Sequence, residues 1–113
     1  MFVNAKDQRT FAMGELIFAE GDIGKEMFGV ISGAVDISRD GRVVGRVEPG
    51  DTFGEMAIID DAPRSLTAVA AEESVIASID SKMFLFLVHE TPMFALQVMQ
   101  SLAERIRQLD EAG

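Results

Sequence analysis

Cysteine, tryptophan and tyrosine do not occur in this chain of 113 residues, and histidine occurs once, as His89. Without cysteine there is no disulfide, thiolate nucleophile, iron–sulfur cluster or cysteine zinc site. One histidine excludes a metal centre built from several imidazoles and a carboxylate. Cations are scarce as well, with 10 Lys and Arg against 19 Asp and Glu and a formal net charge of −9. Duplex binding rests on cations neutralising phosphates, so nucleic acid is not an expected direct partner. The longest apolar run, MFLFLV at 83–88, is far short of the roughly 20 residues of a membrane span. The N-terminal MFVNAKDQ lacks the apolar core of a signal peptide. The expectation is a cytoplasmic protein with no membrane partner.

What remains is an ordinary globular composition, 48% hydrophobic and 26% charged, long enough for one core and too apolar for disorder. One domain over residues 1–113 is expected. Its pattern changes near residue 80. Up to there, short apolar stretches alternate with turn signals, among them EGD at 20, SG at 32, DG at 40, EPG at 48 and DDAP at 60. That rhythm predicts a sandwich or barrel of short antiparallel strands. Asp40-Gly41, between VDISR and RVVGRV, predicts a hairpin whose two central residues both take positive φ. From 81 the period is helical. Ser81 is a candidate cap for a helix to about Val88, and Thr91-Pro92 marks a second start, with Thr as N-cap and Pro at the first helical position. Ala95, Val98, Met99, Leu102, Ile106 and Leu109 then form the expected apolar face.

The chemistry concentrates in DTFGEMAIIDDAPRSLTAVAA, residues 51–71. Gly54 permits close backbone approach, and a turn of helix at EMAII would point the N–H groups of Glu55, Met56 and Ala57 at an anion. Arg64, following the rigid Pro63, supplies a guanidinium that can fork onto two phosphate oxygens, with the Ser65 hydroxyl beside it. One arginine with backbone dipoles suits a monoanion, whereas triphosphates recruit lysine, metal or several arginines. A cyclic phosphodiester is a monoanion, and it leaves one free ribose hydroxyl for a carboxylate such as Glu55. The plain alternative for a Glu and an Arg nine positions apart is a surface ion pair.

FGEMAIIDDAPRSLTAVA resembles the phosphate-binding cassette of cyclic-nucleotide-binding domains, the family of catabolite activator proteins and regulatory subunits of cAMP-dependent protein kinase. GELIFAEGDIGKEMFGVISGAVDI at 14–37 is similar to the family's first strands, and LAERIRQL at 102–109 to its closing helix. The resemblance spans about residues 9–109. It implies a mainly β fold with C-terminal helices, a jelly-roll-like double-stranded β-roll over about 9–80 followed by helices over about 81–110. By position, Glu55 matches the glutamate on the ribose 2′-hydroxyl and Arg64 the arginine on the cyclic phosphate. Gly54, Met56, Ala57 and Ser65 match further ligand contacts, and Val35, Ile37 and Val44 lie where such domains line the base pocket. Leu66 departs from the family's usual Ala.

The resemblance implies a non-catalytic sensor that binds cAMP, or alternatively cGMP, with no cofactor or metal, and that signals through its C-terminal helix to a second copy or to an effector protein. Ser65 tilts the expectation toward cAMP. Arg107, Leu109 and Asp110 are the candidates for capping the base, and Arg64→Ala is expected to cost about 3 kcal/mol or more of ligand affinity, roughly 100-fold or beyond, while barely altering the fold. The alternative is a degenerate, ligand-free interaction or dimerisation module, for which Leu66 is the supporting departure. Only four residues follow Leu109, so no helix-turn-helix is expected after it.

Overall fold

The computed structural model describes residues 7–112. Eight strands precede most of the helix, in the order β1 (Gln8–Phe11), β2 (Leu16–Phe18), β3 (Glu26–Ser32), β4 (Val35–Arg39), β5 (Arg42–Val47), β6 (Thr52–Phe53), a single helical turn α1 (Met56–Ile59), β7 (Thr67–Ala70) and β8 (Ser74–Asp80). Two helices follow, α2 (Ser81–Glu90) and α3 (Met93–Ala112). The strands make two antiparallel four-stranded sheets, ordered β1-β8-β3-β6 and β2-β7-β4-β5. This is a β-roll carrying C-terminal helices.

The two sheets differ in what they cover. Phe28, Val30 and Ile76 of the first sheet meet Val35, Ile37, Val47 and Ala68 of the second, forming the interior of the roll. The opposite face of the first sheet, with Met27, Ala77 and Ile79, is covered by Phe94 and Val98 of α3 and by apolar residues of α2. β3 and β8 are therefore buried on both faces, and MFGVI in β3 reads as a continuous apolar run instead of an alternating one.

The hairpin at Asp40-Gly41 forms as its sequence predicts. Both residues take positive φ, 53° and 81°, and Arg39 pairs with Arg42. The helix starts differ from expectation. Asp80 caps α2, its Oδ1 accepting from the Met83 N–H at 2.8 Å, and Ser81 is the first helical residue. Thr91 closes α2, donating its N–H to the Leu87 carbonyl, and it is its backbone carbonyl that accepts from Phe94 as α3 begins. The buried face of α3 is also rotated from the expected one. Phe94, Val98, Ser101 and Arg105 are buried, whereas Met99 and Ile106 stay 60% and 59% exposed. α3 carries two adjacent apolar stripes, and packing chose the one led by Phe94, whose ring meets Phe84 of α2 edge-on at 5.7 Å.

Candidate functional site

β6 runs directly into Gly54, whose φ of 75° lies in the left-handed region. A side chain there would be strained, and its Cβ would stand 2.9 Å from Arg64 Nη1. The bend drops Glu55 into the interior, 4% exposed, at the start of α1. Beyond α1 the chain returns through Pro63 and locks onto the β2–β3 loop. The Arg64 N–H donates to the Asp22 carbonyl at 2.8 Å, and the Arg64 carbonyl accepts from the Gly21 N–H at 2.7 Å.

This clamp sends the Arg64 side chain inward. Nη1 donates to the Gly54 carbonyl and Nη2 to the Glu26 carbonyl, each at 2.8 Å. The guanidinium lies over Phe18 at 4.4 Å and Phe28 at 5.4 Å from the ring centroids, within cation–π range. The residue is 6% exposed, so the outward-facing surface ion pair is excluded for it. No direct Glu55–Arg64 ion pair occurs among the described residues. Against the expectation that Arg64→Ala would scarcely affect the fold, the replacement removes two hydrogen bonds from part-buried carbonyls.

Glu55 and Arg64 line one cavity of about 300 Å³, together with Gly54, Met56, Ala57 and Ser65. Leu66 also lines it while packing against the interior of the roll. Of the three strand positions expected beside a base, Ile37 reaches the cavity. Val35 is fully buried in the core and Val44 packs against that core, neither lining the cavity. The remaining wall is α3, through Leu102, Arg105, Ile106 and Leu109. Of the candidate caps, Leu109 is on this wall. Arg107 and Asp110 are exposed and do not line the cavity, Arg107 being paired with Glu104 at 2.7 Å.

Arg105 is the residue that sequence reasoning missed. It is buried, donating from Nη2 to the Thr52 carbonyl at 3.0 Å and from Nη1 to the Gln108 side-chain oxygen at 3.1 Å. Its signal was its place in line with Phe94, Val98 and Ser101, where a charge on the buried stripe demands a partner. That partner is electrostatic. Burial raises the Glu55 carboxyl above the ordinary 4.5, opposed by its own backbone N–H and by the charges of Arg105 and Arg64. Burial likewise lowers both arginines, with Glu55 among the charges that oppose the shift.

The arrangement can receive an anion carrying a hydroxyl. Two buried polar atoms on the cavity residues, Glu55 Oε1 and Arg64 Nε, have no hydrogen-bond partner among the described residues. Leaving such atoms unpaired is costly. A phosphate oxygen can accept from Nε–H and from the second hydrogens of the terminal nitrogens, and Oε1 can accept from a sugar hydroxyl. The fork on phosphate is thus not wholly free, as the sequence suggested, because backbone carbonyls share it.

The profile of the cyclic nucleotide-binding domain family matches residues 8–91. The chain is 32% identical over 108 residues to the cyclic AMP receptor protein of Thermus thermophilus, covering 91% of this chain and 50% of that protein. It is 34% identical over 84 residues to the cAMP-dependent protein kinase regulatory subunit of Eremothecium gossypii, covering 74% of this chain and 18% of that protein. The crystal structure of Thermus thermophilus catabolite activator protein superposes with a TM-score of 0.75 at 32% identity, over 94% of this chain and 52% of that one. The chain thus spans about half the length of these relatives, or less. Together with the β-roll and the cassette around its cavity, these matches establish that the chain belongs to the cyclic nucleotide-binding domain family.

Proposed function

We propose that this chain is a non-catalytic sensor that binds a cyclic nucleotide, cAMP with cGMP as the alternative, and passes occupancy on through α3. The observation that carries the reading is the pair of unpartnered buried atoms, Glu55 Oε1 and Arg64 Nε, on the wall of one cavity. Arg64 takes the cyclic phosphate and Glu55 the ribose hydroxyl, with Gly54, Met56, Ala57 and Ser65 completing the phosphate side. The names of the two relatives, a cyclic AMP receptor protein and a cAMP-dependent kinase subunit, support cAMP, as does Ser65.

A ligand shifts a helix only if it binds one helix position better than another. α3 meets that condition in this reading because Leu102, Arg105, Ile106 and Leu109 touch the ligand space. Ile106 is also exposed, along with Leu96 and Met99. With Ala103 these positions fall at intervals of three, four and three, the spacing of a two-helix seam. The partner on that seam is a second copy of the chain, and an effector protein is the other occupant such a face would suit. In this reading the module works in the cytoplasm without metal or cofactor.

Thermal unfolding with cAMP and cGMP tests the ligand, since a ligand at a hundred times its Kd adds about 2.7 kcal/mol. Calorimetry on Arg64→Ala should then show affinity weakened about 100-fold or more, each tenfold being about 1.4 kcal/mol. No stabilisation by any cyclic nucleotide would favour a ligand-free interaction module, with Leu66 intruding on the cavity.

A further inference from the structure

The cavity is polar over one part only. Hydrogen-bonding side chains on its wall are Glu55, Arg64, Ser65 and Arg105, and the first three arrive on one continuous segment of chain. Arg105 is held toward that same part, tied to the Thr52 carbonyl and to Gln108 and facing the charge of Glu55. The rest of the wall, contributed by Ile37, Leu66, Leu102, Ile106 and Leu109, carries no side-chain donor or acceptor. The backbone of Ile37 is paired on both sides, with Gly45 and with Ala68.

On the reading that the ligand is a cyclic nucleotide, its ribose and phosphate occupy the polar part and its base the apolar part. We infer that the base is held by shape and apolar contact alone, so that the module discriminates only weakly among cAMP, cGMP, cCMP and cUMP. The physical reason is an asymmetry in selectivity. A site that buries a hydrogen-bonding group rejects the mismatched ligand by about 10⁴ to 10⁵, because the group is left unpaired, whereas a hydrophobic wall rejects a polar isostere by about 10² at most. Here no side chain at the base is left unpaired by any base. What remains is ring area, which favours purines over pyrimidines by roughly tenfold. The lead of cAMP over cGMP is then no more than about 10².

Calorimetric Kd values for the four cyclic nucleotides, measured on the full chain and on Leu109→Gln, test this. The expected result is two purines within about 100-fold of each other in the parent, and a new preference between them once an amide stands at 109. A parent preference above about 100-fold for one purine would overturn the inference while leaving the cyclic phosphodiester reading intact. An unaltered purine ratio in Leu109→Gln, with both purines still bound, would also overturn it by placing the base elsewhere. Binding of none of the four removes the ligand reading and this inference with it.

Discussion

Arg105 donates to the backbone carbonyl of Thr52 at 3.0 Å, tying the C-terminal helix to the short strand that leads directly into Gly54 and Glu55. The Thr52 N–H completes the connection by donating to Ser101 Oγ on the same helix at 3.3 Å. Two hydrogen bonds thus join α3 to the segment that carries the candidate ligand groups.

Replacing Arg105 by Ala should break this tie. The Thr52 carbonyl would lose a charged donor and Glu55 a neighbouring positive charge, at a cost of about 1–3 kcal/mol. Urea unfolding should show a lower midpoint with an unchanged m-value. Stability equal to the parent's would mean that the helix is not held through this bond.

Glu55 has its proton held longer in the folded chain than in the unfolded one, because burial raises its pKa. The folded state then binds more protons between 4.5 and the raised value, so this group's contribution to stability falls as pH rises through that window and is level above it. Glu55→Gln should therefore gain thermal stability relative to the parent as pH rises from 4 to 7, while losing cyclic-nucleotide affinity. A melting-temperature difference that ran the other way across this range would contradict the burial argument.

Gly24 faces the Arg64 guanidinium so closely that an added methyl group would collide with it. Gly24→Ala should dislodge Arg64 from the Gly54 and Glu26 carbonyls, destabilising the chain by about 1–3 kcal/mol, as overpacking does. Calorimetry should show weakened ligand binding as well. Parent-like affinity in a folded Gly24→Ala would mean that the seat of Arg64 is irrelevant to binding.

Met99 is 60% exposed on α3, so Met99→Glu should leave the monomer fold intact. On the two-helix seam it would place like charges face to face and convert a dimer to monomers in sedimentation analysis. A parent that sediments as a monomer at all concentrations would remove the second copy as partner and leave the effector.

Sequence spacing was sufficient for the roll and the cassette because both are specified locally. Asp40-Gly41 turns where two adjacent residues tolerate positive φ. Gly54, Glu55 and Arg64 sit within one short segment whose residue types already describe an anion site, and the family resemblance extends that description to the fold. Val35 and Val44 were less legible. Strand alternation shows that a residue faces inward, but the interior of a roll includes both packed core and cavity wall, and nothing local distinguishes Ile37 from its neighbours.

By itself, the sequence determined the order of the strands and helices, the turn chemistry and the candidate ligand groups of the cassette, since each follows from residues close together along the chain. Only the tertiary structure decided which stripe of α3 is buried, that Arg105 stands beside Glu55, and that the Arg64 fork is shared with the Gly54 and Glu26 carbonyls. Those outcomes depend on segments 10 to 53 residues apart, where competing apolar faces and buried charges settle against one another only when the whole core has packed.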